Sequence, residues 1–234
     1  NNLFLTIKGR NNDGSKFISH ALNKGARYIV SSKVEKKYRK KTLKVKNEIL
    51  FLNKFAKLKR ENSLAKIIAI TGSVGKTSLK NLIKQLLQNF AKTHSSPKSF
   101  NNHLGVPISL SNLSVEDKYG VFEIGMSKKG EIDNLSKLIK PHIGIITNIG
   151  EAHIENFSNI HGIAKAKSEI INSIEKNGTI ILNRDDKFFN FLRKKAKLKK
   201  LKIITFGKNK KSDIFPLIFL KSSYSTRVIF KVKK

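Results

Sequence analysis

The residues Thr71-Gly72-Ser73-Val74-Gly75-Lys76-Thr77-Ser78 combine the groups needed to bind a nucleoside polyphosphate. Gly72 and Gly75 bracket a tight turn between an apolar run at 67–70 and a helical pattern that opens at Thr77. Such a turn aims several backbone N–H groups at one point, and the helix macrodipole adds positive potential there. Lys76 is then in reach of the terminal phosphates, and the Thr77 hydroxyl suits Mg²⁺. Only Ser73 and Val74 separate the two glycines, where the commoner phosphate loop has four residues. The rival reading is a strand-to-helix turn that holds no ligand. Strand, glycines, Lys-Thr pair and helix all coincide, which favours the phosphate loop. Glu123, near the end of another apolar run, is a hard carboxylate suited to the same ion, its rival role being a solvated strand end.

These groups need a scaffold. Apolar runs at 67–70, 121–124, 143–147, 179–182 and 203–206 read as buried strands. Helical patterns at 78–90, 132–139, 160–174 and 187–196 alternate with them. The predicted fold class is α/β, a mostly parallel sheet with helices on both faces. Ligands of such sheets gather beyond the carboxyl ends of the strands, where the phosphate loop and Glu123 lie. After residue 206 the rhythm changes, and 214–220 and 226–232 read as an antiparallel hairpin. The chain opens with a smaller α/β pattern: a strand at 3–7, a helix at 15–23 and a strand at 27–31. A charged stretch at 33–46 follows, then a helix at 47–60 with Leu50, Phe51, Phe55 and Leu58 on its apolar face. The boundary between the two patterns is expected at 62–66.

Composition adds limits. With 39% hydrophobic residues in 234, the chain has enough apolar material for a core. It has no cysteine, which excludes disulfides, thiolate metal sites and a cysteine nucleophile and fits a cytoplasmic setting. No apolar run is long enough to span a bilayer, and a monomer is the expected state. The net charge of +32 would attract polyanions nonspecifically. Its carriers are mostly lysines spread along the length, with arginine only at Arg10, Arg27, Arg39, Arg60, Arg184, Arg193 and Arg227. With no aromatic-interleaved binding motif, a specific nucleic-acid surface is not expected. The chain begins without methionine, so a start partway into a domain is expected.

The shortened phosphate loop resembles that of Mur ligases and folylpolyglutamate synthases. Further stretches, in order, resemble the Mur ligase family: Phe100-Asn101-Asn102-His103-Leu104-Gly105-Val106-Pro107, Phe122-Glu123-Ile124-Gly125-Met126 and Thr147-Asn148-Ile149-Gly150-Glu151-Ala152-His153. Ala164-Lys165-Ala166-Lys167-Ser168-Glu169-Ile170 and Leu182-Asn183-Arg184-Asp185-Asp186 continue the series. Asp13-Gly14, within a segment similar to the family's UDP-substrate domain, is followed by Ser15 where the family usually has histidine. The resemblance implies a partial UDP-substrate domain over 1–62, a central ATP-binding domain over 63–234 and no C-terminal ligase domain. It implies ATP and Mg²⁺ as cofactors, UDP-N-acetylmuramoyl-tripeptide and D-alanyl-D-alanine as substrates, and an amide ligation through an acyl phosphate. A chain so composed is expected to bind Mg-ATP without completing the ligation. The Asn-Asn-His-Leu-Gly-Val-Pro and Asp-Gly segments argue against a folylpolyglutamate-type ligase. The ordered phosphate and metal motifs argue against a nonenzymatic basic binding module.

By the same resemblance, Glu123 is a Mg²⁺ ligand and His153 the ligand of a second Mg²⁺. A lone histidine is more often structural, and imidazole is not the usual partner of this ion. Lys167 resembles the family's carbamoylated lysine, a role that needs its neutral amine. Lys165, on another face of the same helix, is the internal comparison, and the alternative for Lys167 is a solvated lysine. Asn183 resembles the adenine-binding residue, with a turn-forming asparagine as the rival. Asp13 falls on the UDP side and Asn102 and Asn148 on the muramoyl-peptide side, the asparagines also being common at strand–loop junctions for turn reasons.

Overall fold

The structure is a computed structural model that describes residues 2–9, 12–152 and 154–233, apart from the side chain of Phe219. The chain divides into two compact units, Asn1–Leu58 and Lys59–Lys234. The division falls a few residues before the boundary expected from sequence. Arg60 already belongs to the second unit, where its guanidinium donates to the carbonyls of Ile139 at 2.7 Å and Lys140 at 2.8 Å.

In the first unit, β1 (Asn2–Leu5), β2 (Ala26–Ser31) and β3 (Thr42–Lys44) form a parallel sheet in that order. A 3₁₀ turn, Gly14–Phe17, leads into α1 (Ile18–Asn23) between the first two strands. The short β3 lies in the lysine-rich stretch where no strand was expected; pairing with β2 overrides its weak local signal. Helix α2 (Glu48–Glu61) corrects the expected apolar face. Leu52 and Ala56 are the buried apolar positions, whereas Leu50 and Leu58 are 61% and 55% exposed. Glu48 sets this phase: its carboxylate accepts from Ser32 N at 2.7 Å and Thr6 Oγ1 at 3.2 Å.

The second unit is built on eight strands: β4 (Lys66–Thr71), β5 (Thr93–Ser95), β6 (Tyr119–Glu123), β7 (Ile143–Ile146), β8 (Thr179–Asn183), β9 (Lys202–Phe206), β10 (Ile214–Lys221) and β11 (Thr226–Val232). They lie in the order β11-β10-β9-β8-β7-β4-β6-β5, and only the β10–β11 pair is antiparallel. The α/β class and the terminal hairpin are as the sequence predicts. The helices are α3 (Lys76–Gln88), α4 (Gly105–Ser111), α5 (Glu131–Ile139), α6 (Ile160–Lys167) and α7 (Phe189–Leu198).

Strand β4 is buried at every residue after Lys66, which explains its unbroken Ile-Ile-Ala-Ile run. Its Ile68 and Ile70 form a core with Val121 and Ile145, and Leu79, Ile83 and Leu87 of α3 pack against it. Those helix positions recur at four-residue spacing, the signature of one apolar face. Strand β5 and helix α4 were not expected, being short and rich in polar or small residues. Helix α6 stops at Lys167 rather than running to 174, and a 3₁₀ stretch, Ser168–Ser173, takes over. There the Ser168 hydroxyl donates to Lys165 O at 2.6 Å, competing with the helical ladder. Because β4 lies between β6 and β7, the chain winds outward to both sides of it. That reversal opens a crevice beyond its carboxyl end.

Candidate active site

The phosphate loop fills this crevice. Gly72 has φ +148°, and a Cβ there would lie 1.9 Å from Thr147 Oγ1, so no side chain fits. Gly75 has φ +83° and ends the turn before α3 begins at Lys76. The loop after β7 grips it from the other side. Ser73 N donates to Asn148 O at 3.0 Å, and Val74 N donates to Asn148 Oδ1 at 3.0 Å. Thr147 Oγ1 and Asn148 Nδ2 both donate to Val74 O, at 2.7 and 3.3 Å. Ser73 Oγ donates to Gly150 O at 2.9 Å and accepts from Gly150 N at 2.8 Å. Among the described residues, no protein group accepts from the amides of Gly75, Lys76, Thr77 and Ser78, which stay available to an anion at the helix N-terminus.

At the adjacent strand end, Glu123 is 1% exposed. Thr77 Oγ1 donates to its Oε2 at 2.7 Å and Asn101 Nδ2 to its Oε1 at 2.7 Å. The solvated strand-end alternative is thereby excluded. Lys76 Nζ folds over the loop and donates to Gly72 O at 2.8 Å and Ser73 O at 3.3 Å. Burial lowers its pKa, and the carboxylate of Glu123 opposes that shift. Lys167 is 2% exposed, while Lys165 of the same helix is exposed. Burial, and then the charge of Lys76, lowers the Lys167 pKa to about 7. The two lysines that sequence alone separated only by motif register are thus physically distinct.

The other expected residues have mixed fates. Asn148 grips the phosphate loop through both ends of its amide. Asn102 Oδ1 accepts from the amides of Leu104 at 3.1 Å and Gly105 at 2.8 Å, opening α4. Asn183 Oδ1 accepts from Asp185 N at 3.0 Å, the turn role, which leaves its NH₂ group for another partner. Asp13 caps the 3₁₀ turn by accepting from Ser15 N at 2.9 Å, a bond that lowers its pKa, and it belongs to the first unit. His153 lies outside the described residues.

Three supports escaped the sequence reading. Asn101 sits beside the asparagine that was chosen, with no local signal to prefer it. Asp186 Oδ2 accepts from Ile149 N at 2.6 Å and so fixes the loop that grips Ser73. Asp185 accepts from the amides of Lys208 and Asn209 at 2.5 and 3.1 Å. The acidic pair quoted from the Asn-Arg-Asp-Asp motif was the available clue to both aspartates.

The fold and this crevice define a phosphate-loop α/β domain. Residues 70–234 match the Mur ligase middle domain family, so the chain belongs to the Mur ligase family. It is 42% identical over 213 residues to the UDP-N-acetylmuramoyl-tripeptide–D-alanyl-D-alanine ligase of Rickettsia prowazekii, covering 90% of this chain and 47% of that protein. The crystal structure I of MurF from Acinetobacter baumannii superposes with TM-score 0.86 at 32% identity, covering 98% of this chain and 50% of the other. MurF ligase from Thermotoga maritima, solved in complex with ADP, gives TM-score 0.84 at 29% identity, covering 98% and 52%. The chain spans about half the length of the curated relatives it matches.

Proposed function

We propose that this chain carries the ATP site of a UDP-N-acetylmuramoyl-tripeptide–D-alanyl-D-alanine ligase and activates the tripeptide carboxylate. The observation that carries the reading is the Thr77–Glu123 pair at the crevice, beside a phosphate loop whose amides are open to an anion. In this reaction the carboxylate attacks the γ-phosphorus of ATP, the bond to the bridging oxygen breaks, and ADP leaves behind an acyl phosphate. The amine of D-alanyl-D-alanine then attacks the acyl carbon, loses a proton and expels inorganic phosphate as the amide forms. Both steps place negative charge on oxygen, so positioning and charge neutralisation carry them.

The amides at the start of α3 and Lys76 hold the phosphate oxygens. Thr77 and Glu123 would hold Mg²⁺, which screens the phosphate charge when bound. Two hard oxygens a hydrogen bond apart suit an ion that keeps most of its waters. His153 is assigned to a second Mg²⁺ by the family resemblance. Asn183 would offer its free NH₂ to adenine, Asn102 and Asn148 would border the muramoyl peptide, and Asp13 would contact the UDP portion.

With its pKa near 7, Lys167 offers a free amine at neutral pH. Its lone pair adds to CO₂ and a proton leaves, giving a carbamate anion that Lys76 attracts rather than repels. A ¹³C-bicarbonate NMR signal that disappears in Lys167→Met and survives in Lys165→Met is expected; equal signals would sink the assignment.

The reading is tested by calorimetry of Mg-ATP at moderate salt. Removing a charge-assisted phosphate contact in Lys76→Ala should weaken binding about 30-fold or more. Binding indifferent to Mg²⁺ or to Lys76 would overturn it. UDP-N-acetylmuramoyl-tripeptide should bind the same chain and a folate should not.

A further inference from the structure

Lys80 is among the largest fully buried side chains, 1% exposed, one helical turn beyond Lys76. A buried ammonium needs hydrogen-bond partners to remain charged. Lys80 Nζ donates to Ser96 O at 2.8 Å and to Lys98 O. Lys98 has φ +46°, a left-handed backbone that lysine rarely adopts. The bonded carbonyls bracket the start of the segment that joins β5 to α4.

That segment leads straight to the metal ligand. Ser96 N donates to Val121 O at 3.0 Å, and Ser96 Oγ accepts from Glu123 N at 3.4 Å. Farther along, Gly125 N donates to Asn101 O at 2.8 Å while Asn101 Nδ2 donates to Glu123 Oε1. Thr77, on the same helix as Lys80, takes the other carboxylate oxygen. One helix and one segment therefore hold Glu123 from two sides, and Lys80 is bonded to both.

We propose that Lys80 is a positioning residue for Glu123: by tying residues 96–101 to α3 it fixes the carboxylate between Thr77 and Asn101 before a metal ion arrives. The inference rests on reading Thr77 and Glu123 as Mg²⁺ ligands. Its partners are main-chain carbonyls, so Lys80 acts without touching nucleotide or metal.

The test is the Mg²⁺ dependence of ADP binding, by calorimetry on the full chain. In Lys80→Met the Mg²⁺ midpoint should rise about tenfold or more, the usual cost of losing a ligand's support. Metal-free ADP affinity should stay within about twofold, since the phosphate loop is untouched. A role in stability alone would leave the midpoint unmoved, and that result overturns the proposal. Thr77→Ala and Glu123→Gln, run in parallel, separate the two readings. If they lose Mg²⁺ dependence while Lys80→Met keeps it, only the positioning role fails. If they too keep it, the metal site itself is misread. Should Lys80→Met not fold, amide exchange in the unaltered chain decides. The Ser96 and Gly125 amides should be equally protected with ADP alone and with Mg-ADP. Protection that appears only with the ion would mean that the metal, not Lys80, orders the segment.

Discussion

The α3 side and the α6 side of the crevice each bury a lysine, and the two lysines differ in what surrounds them. Lys80 is 1% exposed and bonded to two carbonyls; Lys167 is 2% exposed and, among the described residues, has no hydrogen-bond acceptor. The charge that acts on it is another cation, Lys76. Depth is therefore the same and burial lowers both pKa values, but among the described residues only Lys80 has carbonyls to hold its ammonium. On the α3 side the buried ammonium has protein partners before any ligand comes, and its geometry is set in advance. On the α6 side a group is held where neither protonation state is strongly favoured at neutral pH, which leaves it open to reaction.

The largest expected effect breaks this contrast at Lys167. The group has a folded pKa near 7, below the ordinary 10.5. Between those values the unfolded chain holds a proton that the folded chain lacks, so stability rises with pH across that window. Denaturant unfolding in CO₂-free buffer should show a gain on the order of 3 kcal/mol from pH 7 to 9.5, absent from Lys167→Met. Parallel slopes in the two chains would erase the distinction between the two sides.

Next comes Gly72→Ala, which probes how rigid the prepared side is. The added Cβ meets Thr147 Oγ1, and overpacking there should cost about 1–3 kcal/mol of stability together with most nucleotide affinity. Unchanged calorimetry would show a loop that yields freely. Asn148→Ala removes both amide bonds to Val74 and should weaken ADP binding by about 1 kcal/mol, or roughly fivefold. Lys165→Met closes the series, with stability changed by less than about 0.5 kcal/mol and the pH slope intact.

Much of this was legible in the chain. Unbroken apolar strands, the glycine pair and the Lys-Thr step place the central sheet and its phosphate loop, because each has a local physical cause. What was not legible depends on distant partners. The phase of α2 follows from Glu48 reaching Ser32 and Thr6, not from its own apolar spacing. Asn101 and Asn102 are chemically alike in sequence, and only the approach of β6 sorts one to Glu123 and the other to the opening of α4. Lys80 was one lysine among many, because nothing in its neighbours announces burial. Lys167 was distinguishable from Lys165 by motif register alone, and the fold then separates them by exposure.

The interlock between Gly72, Val74 and the β7 loop also bears on transplantation. The phosphate loop is stitched to Thr147, Asn148 and Gly150, and Asp186 holds that second strip from a third strand end. A designer who grafts residues 71–78 onto another sheet would carry over the signature without its clamp. The portable unit is discontinuous, three strand ends rather than one, and a scaffold would have to supply all of them to inherit the site.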